Sequence, residues 1–481
     1  MTTSAADRNL PLIHQARDQI VKGDLKSAAL TLNQANRQDP SDPRVHWMGG
    51  LLAERAGNPA GAVESMQRSL RMAPDWSVGV LEMGLMYARL NRFPEALEAA
   101  ERVHQMEPRN LVVLAGCIDI ARRAGHLEMA VRWLRHGLQL VPNDPQLLEL
   151  LATDLHAMKR HAEAVQAWDA LLAAKPQDNT ARLGRLRAHL GQGDLNAAQA
   201  DAAVLLAALP NDPVAQYHHE LAHGRTPKTQ PPEMNAAFFN TIAEQFDQHL
   251  VRSLKYQLPK QVADRLLAER PDREFHVLDL GCGTGLLGVC LGRLRGALVG
   301  VDVSTKMIEQ AARHGVYDKF HQVNLLDALE ATPESLYHVI AALDVFIYAG
   351  DLSAAIPNAL RILVPGGQWV FSCESAPEDG ADLVLTKDGR YAHRRAHVAQ
   401  LCADAGFAPV QIEDSVIRLE NGVPVHGFVV WATKPVGPSK AKASRSTAKS
   451  AAPEGEPAEG STASAKPAAR KAAAAKKPPA A

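Results

Sequence analysis

The chain has 481 residues, 46% hydrophobic and 22% charged, which suits two or three soluble globular domains, each with its own core. The formal net charge of −1 hides an asymmetry: from Lys434 onward ten Lys or Arg stand against three Glu, leaving −8 for the rest. An acidic folded part has no nucleic-acid footprint, and no apolar run has the length that spans a bilayer. Residues 1–10 lack an apolar leader core. The five cysteines (Cys117, Cys282, Cys290, Cys373, Cys402) show neither C-x-x-C nor zinc spacing, as expected in a reducing, cytoplasmic setting.

The first part of the chain is periodic. Pro40, Pro74, Pro108, Pro142, Pro176 and Pro210 are 34 residues apart, and so are Ala28, Ala62, Ala96, Ala130, Ala164 and Ala198. Gly23, Gly57, Gly125 and Gly193 each stand five residues before one of these alanines, where a first helix would turn into a second. Small alanines let paired helices approach closely, and proline stops the second helix. The period and its punctuation resemble the tetratricopeptide pattern. That resemblance implies a solenoid of helix pairs over residues 9–223, closed by a capping helix at 213–222 that stops at Gly224. Trp47, Leu81 and Tyr87 keep the pattern's large anchors, whereas Ile118, Ala152 and Leu186 replace its usual Gly. Such solenoids offer a concave groove to a protein partner; a packing platform for the next domain is the alternative.

Residues 224–234 read as a stiff polar linker, with Pro227, Pro231 and Pro232. Just before it, His219-Glu220-Leu221-Ala222-His223 is a literal H-E-x-x-H. Zinc proteolysis needs that helix inside a cleft with a third ligand. Here it falls in the last turn of a capping helix, where histidines suit the negative helix end, so no metal is expected.

The rest is organised around Val277-Leu278-Asp279-Leu280-Gly281-Cys282-Gly283-Thr284-Gly285, a buried strand running into a glycine turn and then an apolar helix. Glycine lets the backbone turn sharply and approach a ligand, and the helix behind it presents free N–H groups. A second strand, 297–301, ends in Asp302, whose carboxylate suits the two hydroxyls of a ribose. Gly283 to Gly288 also fits the dinucleotide pattern G-x-G-x-x-G, which keeps a nicotinamide cofactor as an alternative. The run D-L-G-C-G-T-G resembles the first motif of class I S-adenosylmethionine-dependent methyltransferases. The resemblance implies S-adenosylmethionine as cofactor, held by Asp279, Gly281, Cys282, Gly283, Gly285, Asp302, Val303 and Leu343. It also implies an adenine-binding residue after the third strand (320–323), left open between Asn324 and Asp327. The expected architecture is an α-solenoid followed by an α/β doubly wound, seven-strand methyltransferase sheet over 235–433, with its last strand pair antiparallel.

Residues 238–269 read as two amphipathic helices broken near Leu258-Pro259, lying as a lid with His249 and Tyr256 at the acceptor site. The segment F-D-x-H-L at 246–250 is similar to predicted methyltransferases that carry N-terminal tetratricopeptide repeats. The residues after the fourth strand (339–342) face the transferred methyl group at the switch point of such a sheet. Asp344 and Tyr348 are therefore the acceptor-side candidates, with Asp344, His249 or His393 as proton acceptors. The absence of N/D-P-P-Y argues against a base or amide nitrogen as acceptor. A helix is expected to open at 389–393, with Tyr391 and His393 either near the acceptor or capping the surface. Beyond 434 the Ala/Lys/Pro composition predicts a disordered, solubilising tail. The sequence thus points to a methyltransferase acting on an unidentified small-molecule or protein acceptor, with a partner in the repeat groove. An inactive methyltransferase-fold scaffold is the rival.

Overall fold

The computed structural model describes residues 5–243, 246, 255–420 and 422–436, with side chains from residue 9 onward; His249 and the tail from 437 lie outside the described residues. The chain through Pro435 forms one compact unit.

Six helix pairs come first: α1 (Ala5–Val21) with α2 (Leu25–Gln38), α3 (Pro43–Arg55) with α4 (Pro59–Met72), and α5 (Ser77–Arg89) with α6 (Phe93–Met106). Then follow α7 (Leu111–Arg123) with α8 (Leu127–Leu140), α9 (Pro145–Ala157) with α10 (His161–Ala174), and α11 (Asn179–Gln192) with α12 (Leu195–Ala208). The six periodic alanines are all 0% exposed, seated where paired helices touch. Gly23, Gly57, Gly125 and Gly193 turn the chain at positive φ, and Asn91 and Lys159 fill the same place in the third and fifth pairs. Each periodic proline stands two residues beyond its helix. A further periodic device is capping. Asp42, Asn110, Asp144 and Asp178 accept amides at the start of α3, α7, α9 and α11, each worth about 1 kcal/mol. The capping helix α13 (Pro213–Ala222) closes the stack, with Asp212 as its cap. Within the H-E-x-x-H stretch, Arg225 holds the Glu220 carboxylate, and the His223 ring bonds the His219 carbonyl. Among the described residues no cluster of three or more His, Cys, Asp or Glu is placed to hold a metal.

The stiff polar linker lies as a strap on the next domain. Asp351 N–H donates to the Lys228 carbonyl (2.7 Å), Gln230 N–H to the Tyr348 carbonyl (3.3 Å), and the Tyr391 hydroxyl to the Pro227 carbonyl (2.8 Å). Its prolines leave carbonyls without competing amides, and these become the acceptors. Helix α14 (Pro232–Ile242) begins within it. The helix break expected at Leu258-Pro259 is a helix start: α15 (Leu258–Glu269) carries Pro259 in its first turn, where a missing N–H costs nothing.

The sheet runs β3 (Lys319–Gln322), β2 (Leu298–Asp302), β1 (Val277–Leu280), β4 (Tyr337–Ala342), β5 (Leu363–Ser375), with β9 (Val423–Thr433) antiparallel on β5 and β8 (Val410–Glu420) antiparallel on β9. These are the seven strands expected, and the last pair is antiparallel. Two short strands, β6 (Leu383–Leu385) and β7 (Tyr391–His393), extend it at the tip of β5. A helix was expected at 389–393; α21 (Arg395–Ala405) starts later. The strand wins because Tyr391 and His393 are both buried, and their polar ends find carbonyls at Pro227 and Gly350. Neither reaches the acceptor side as expected.

Candidate functional site

Parallel strands β1, β2 and β4 all end at one cavity of about 660 Å³. The glycine turn after β1 forms its floor, and each glycine has a separate task. Gly281 (φ +64°) leaves no room for a Cβ, which would lie 2.5 Å from Val345. Gly283 (φ +53°) opens onto the cavity, and its N–H donates to Asp302 Oδ2 (2.9 Å). Gly285 is not on the wall. It lets α16 (Leu286–Leu291) pack on Ala311 and Tyr317, each about 3.1 Å from a hypothetical Cβ. Helix α16 is only six residues long, and Tyr317 Oη already accepts from Gly288 N–H at 3.2 Å, so it offers little of the free amide set expected from the sequence.

Two carboxylates border this turn and are almost wholly buried. Asp279 accepts from the Tyr317 hydroxyl (2.6 Å); burial pushes its pKa up to about 7, against the pull of that hydrogen bond. Asp302 accepts from Gly283 N–H and from Ser304 N–H (2.8 Å), and burial raises it too. Ser304 caps α17 (Thr305–Ala312), and Asn240 of α14 accepts from both Ser304 Oγ (2.8 Å) and Lys306 N–H (3.1 Å), fastening α14 over this end. Cys282, Val303 and Leu343 line the wall. Of the two adenine candidates, Asn324 lines the cavity and caps α18 (Leu325–Ala331) by accepting from Leu326 N–H; Asp327 is exposed and off the wall.

The other end is aromatic and charged. Phe238, Phe239, Phe246 and Tyr348 line it, and the Tyr348 ring meets Phe239 edge-on at 5.2 Å. Burial pushes the Tyr348 phenol to about 12, so it is neutral near pH 7. Asp344 lies on this wall in a left-handed conformation (φ +60°), its N–H held by Ser372 Oγ (2.8 Å). Its carboxylate is not free. Arg418 Nη1 donates to both oxygens, at 2.7 and 2.9 Å, while the same guanidinium bonds Glu374 and Glu420. Arg390 completes the network on Glu420 and Glu374. Burial raises the Asp344 pKa above its ordinary value despite the Arg418 charge, so this carboxylate is paired and enclosed and not the free proton acceptor the sequence suggested.

The sequence reading missed Tyr317, Asn240, Arg390, Arg418, Glu374 and Glu420. A signal existed for the last three. Glu374 interrupts an apolar strand, and Arg418 and Glu420 are two apart, so they share one face of β8. Tyr317 and Asn240 carry no local signal.

Three family models match the chain over four stretches: a methyltransferase domain at residues 277–367, and tetratricopeptide repeats at 87–153 and at both 14–75 and 150–213. Among curated relatives, the ubiquinone biosynthesis O-methyltransferase of Pseudomonas savastanoi pv. phaseolicola is 37% identical over 101 residues, 20% of this chain and 43% of that protein. Its counterpart in Psychrobacter arcticus is 27% identical over 149 residues, 27% of this chain and 58% of that one. The chain thus spans about half the length of the curated relatives it matches. Similar solved structures include Pseudomonas aeruginosa pilF (18% identity, TM-score 0.34, 44% of this chain and 97% of that one). Another is magnesium protoporphyrin IX methyltransferase from Synechocystis with bound SAM (21%, TM-score 0.29, 37% and 78%). The chain carries N-terminal tetratricopeptide repeats and a C-terminal class I S-adenosylmethionine-dependent methyltransferase domain.

Proposed function

We propose that the protein transfers a methyl group from S-adenosylmethionine to a small-molecule or protein acceptor in the cytoplasm, while its repeat groove engages a protein partner. In this reading residues 9–223 are the interaction domain, 224–234 the connection, 235–433 the catalytic domain and 434–481 a basic tail. The observation that carries it is the pair of buried carboxylates at the glycine turn. Among the described residues lining the cavity, the basic ones are Arg390 and Arg418, both at the aromatic end. A dinucleotide would also set a ribose at Asp302, but its pyrophosphate would fall beside Asp279 with no cation there. An amino acid ammonium and a ribose diol suit the same two groups, which argues for S-adenosylmethionine over a nicotinamide cofactor.

When bound, the cofactor supplies a methyl group made electrophilic by the positive charge on its sulfur. The chain's own residues then do the rest. Gly281 and Gly283 bring the backbone close, Asp279 receives the ammonium, Asp302 the ribose hydroxyls, and Asn324 the adenine edge. Cys282, Val303 and Leu343 pack around it. Tyr348 and Asp344 orient an acceptor on the far side, and alignment supplies most of the rate. That the curated relatives are named O-methyltransferases supports an oxygen acceptor.

The test is calorimetric titration of S-adenosylmethionine, S-adenosylhomocysteine and NAD into wild type and Asp302→Ala. Micromolar binding of the first two, about tenfold or more weaker in the variant, is expected. NAD binding in their place would overturn the reading. Binding without turnover of any acceptor, in pools of metabolites or cell proteins, would favour the inactive scaffold.

A further inference from the structure

The strap between the repeats and the sheet is itself part of the cavity wall. It leaves α13 at Ala222 and enters α14 at Pro232, and Thr229, Gln230 and Pro232 line the cavity on the way. A plain spacer would keep its polar side chains in water. Gln230 does not. It is 9% exposed and grips two separate segments of the sheet domain. Its N–H donates to the Tyr348 carbonyl (3.3 Å), and its side-chain Nε2 donates to the Gly389 carbonyl (2.5 Å), 159 residues on.

Both grips end at residues of the aromatic and charged end. Tyr348 stands on the wall. The Gly389 carbonyl belongs to the peptide that leads into Arg390, at the tip of the β6–β7 hairpin. The Arg390 N–H on the same peptide donates to Thr386 Oγ1 (3.2 Å), while its side chain lines the cavity and pairs with Glu420. That peptide is therefore held at both its oxygen and its nitrogen, and Gln230 is the partner that comes from outside the sheet. The glycine-turn end does not depend on it: Asp279 and Asp302 are held by Tyr317, Gly283 and Ser304. Here the inference rests on the proposed methyltransferase reading. We propose that Gln230 is a positioning residue for the methyl acceptor: by holding Tyr348 and Arg390 at a fixed spacing it sets the shape of the pocket the acceptor enters. A buried side chain locked by hydrogen bonds at both ends supplies the rigidity that such alignment needs.

Gln230→Met nearly keeps the side-chain volume and removes the donor to Gly389. Lys228→Ala, in the same strap, removes only an ion pair whose lysine is 85% exposed, and serves as the control. Wild type and both variants are titrated with S-adenosylhomocysteine by calorimetry. Each is then given methyl-tritiated S-adenosylmethionine with rising amounts of a metabolite extract or a cell-protein extract, and the label transferred is counted. In Gln230→Met the extract concentration for half-maximal transfer should rise about tenfold, with the plateau rate and the S-adenosylhomocysteine affinity within about twofold of wild type. Lys228→Ala should match wild type throughout. No rise in Gln230→Met, an equal weakening of S-adenosylhomocysteine, or a fall in the plateau rate alone would overturn the proposal while leaving the methyltransferase reading in place. So would the same rise in Lys228→Ala, which would move the effect from Gln230 to the strap as a whole. Wild type that transfers label to neither extract would overturn both.

Discussion

The two halves of this molecule are held together by opposite routes. In the repeats, partners recur one unit apart: Arg89 meets Glu54 and Arg122 meets Asp154, 35 and 32 residues away. In the sheet, the contacts that shape the cavity join distant segments, such as Asp344 with Arg418 (74 residues) and Gln230 with Gly389 (159). A repeated geometry tolerates local exceptions, because each unit touches chiefly its neighbours. A cavity built at strand ends has no spare copies of anything.

The comparison breaks most visibly at its arginines. Arg418 is 3% exposed and serves three carboxylates, so Arg418→Ala leaves Asp344 buried without its cation and Glu374 with Arg390 alone. Loss of one partner of a buried ion pair costs about 3–5 kcal/mol. Arg89→Ala removes a pair whose side chains are 37% and 21% exposed, worth less than about 1 kcal/mol. Denaturant titration of both variants measures the gap. Similar losses would show that the charged end of the cavity is no more cooperative than the solenoid.

A smaller contrast lies in two glycines of nearly equal φ. At Gly350 (φ +67°) an added Cβ would stand 2.1 Å from the Lys228 carbonyl, the oxygen that ties the strap to Asp351. At Gly125 (φ +69°) a Cβ would meet nothing within 4 Å. Alanine at 125 should cost about 1 kcal/mol, the strain of a left-handed residue, and asparagine less, as Asn91 shows two repeat turns away from Gly23. Alanine at 350 carries that strain and must also push the strap outward, for about 3 kcal/mol in thermal unfolding. Equal effects would mean that the strap yields freely and does not wall the acceptor end.

The same difference governs what the sequence could reveal. Solenoid, period and turn positions were legible because two exceptions in six units do not blur a spacing of 34, so Asn91 and Lys159 hid nothing. The doubly wound sheet of seven core strands followed from the glycine turn, Asp302 and the alternation of strands with helices. The strap was not legible: proline-rich polar segments read as spacers, and only the fold shows that their carbonyls meet Asp351 N–H and the Tyr391 hydroxyl. Strand β7 was missed for the same reason, since Tyr391 and His393 are strand residues by virtue of partners at 227 and 350. The strand end put Asp344 on the cavity wall, but Arg418, which pairs with it, arrives from a strand 74 residues on.

The smallest expected effect is also the one that reads the glycine turn most closely. Asp279 has a pKa of about 7 in the ligand-free fold, above the 3.8 of an ordinary aspartate, because burial disfavours its charge. A raised carboxylate stabilises the fold below pH 3.8 and loses that contribution as pH rises through about 7. An ammonium at Asp279 reverses the preference, so binding at pH 6 must release close to one proton, and at pH 8 almost none. Affinity for S-adenosylhomocysteine, which keeps the ammonium but not the sulfonium, should therefore tighten about tenfold between pH 6 and 8 and then level off. Calorimetry in two buffers of different ionisation heat counts the proton directly. Asp279→Asn should abolish the release, weaken binding, and raise the ligand-free melting temperature at pH 8, where wild type carries a buried charge. Proton release that survives in Asp279→Asn would move the titrating group to Asp302, the other raised carboxylate at the turn, and with it the seat of the ammonium.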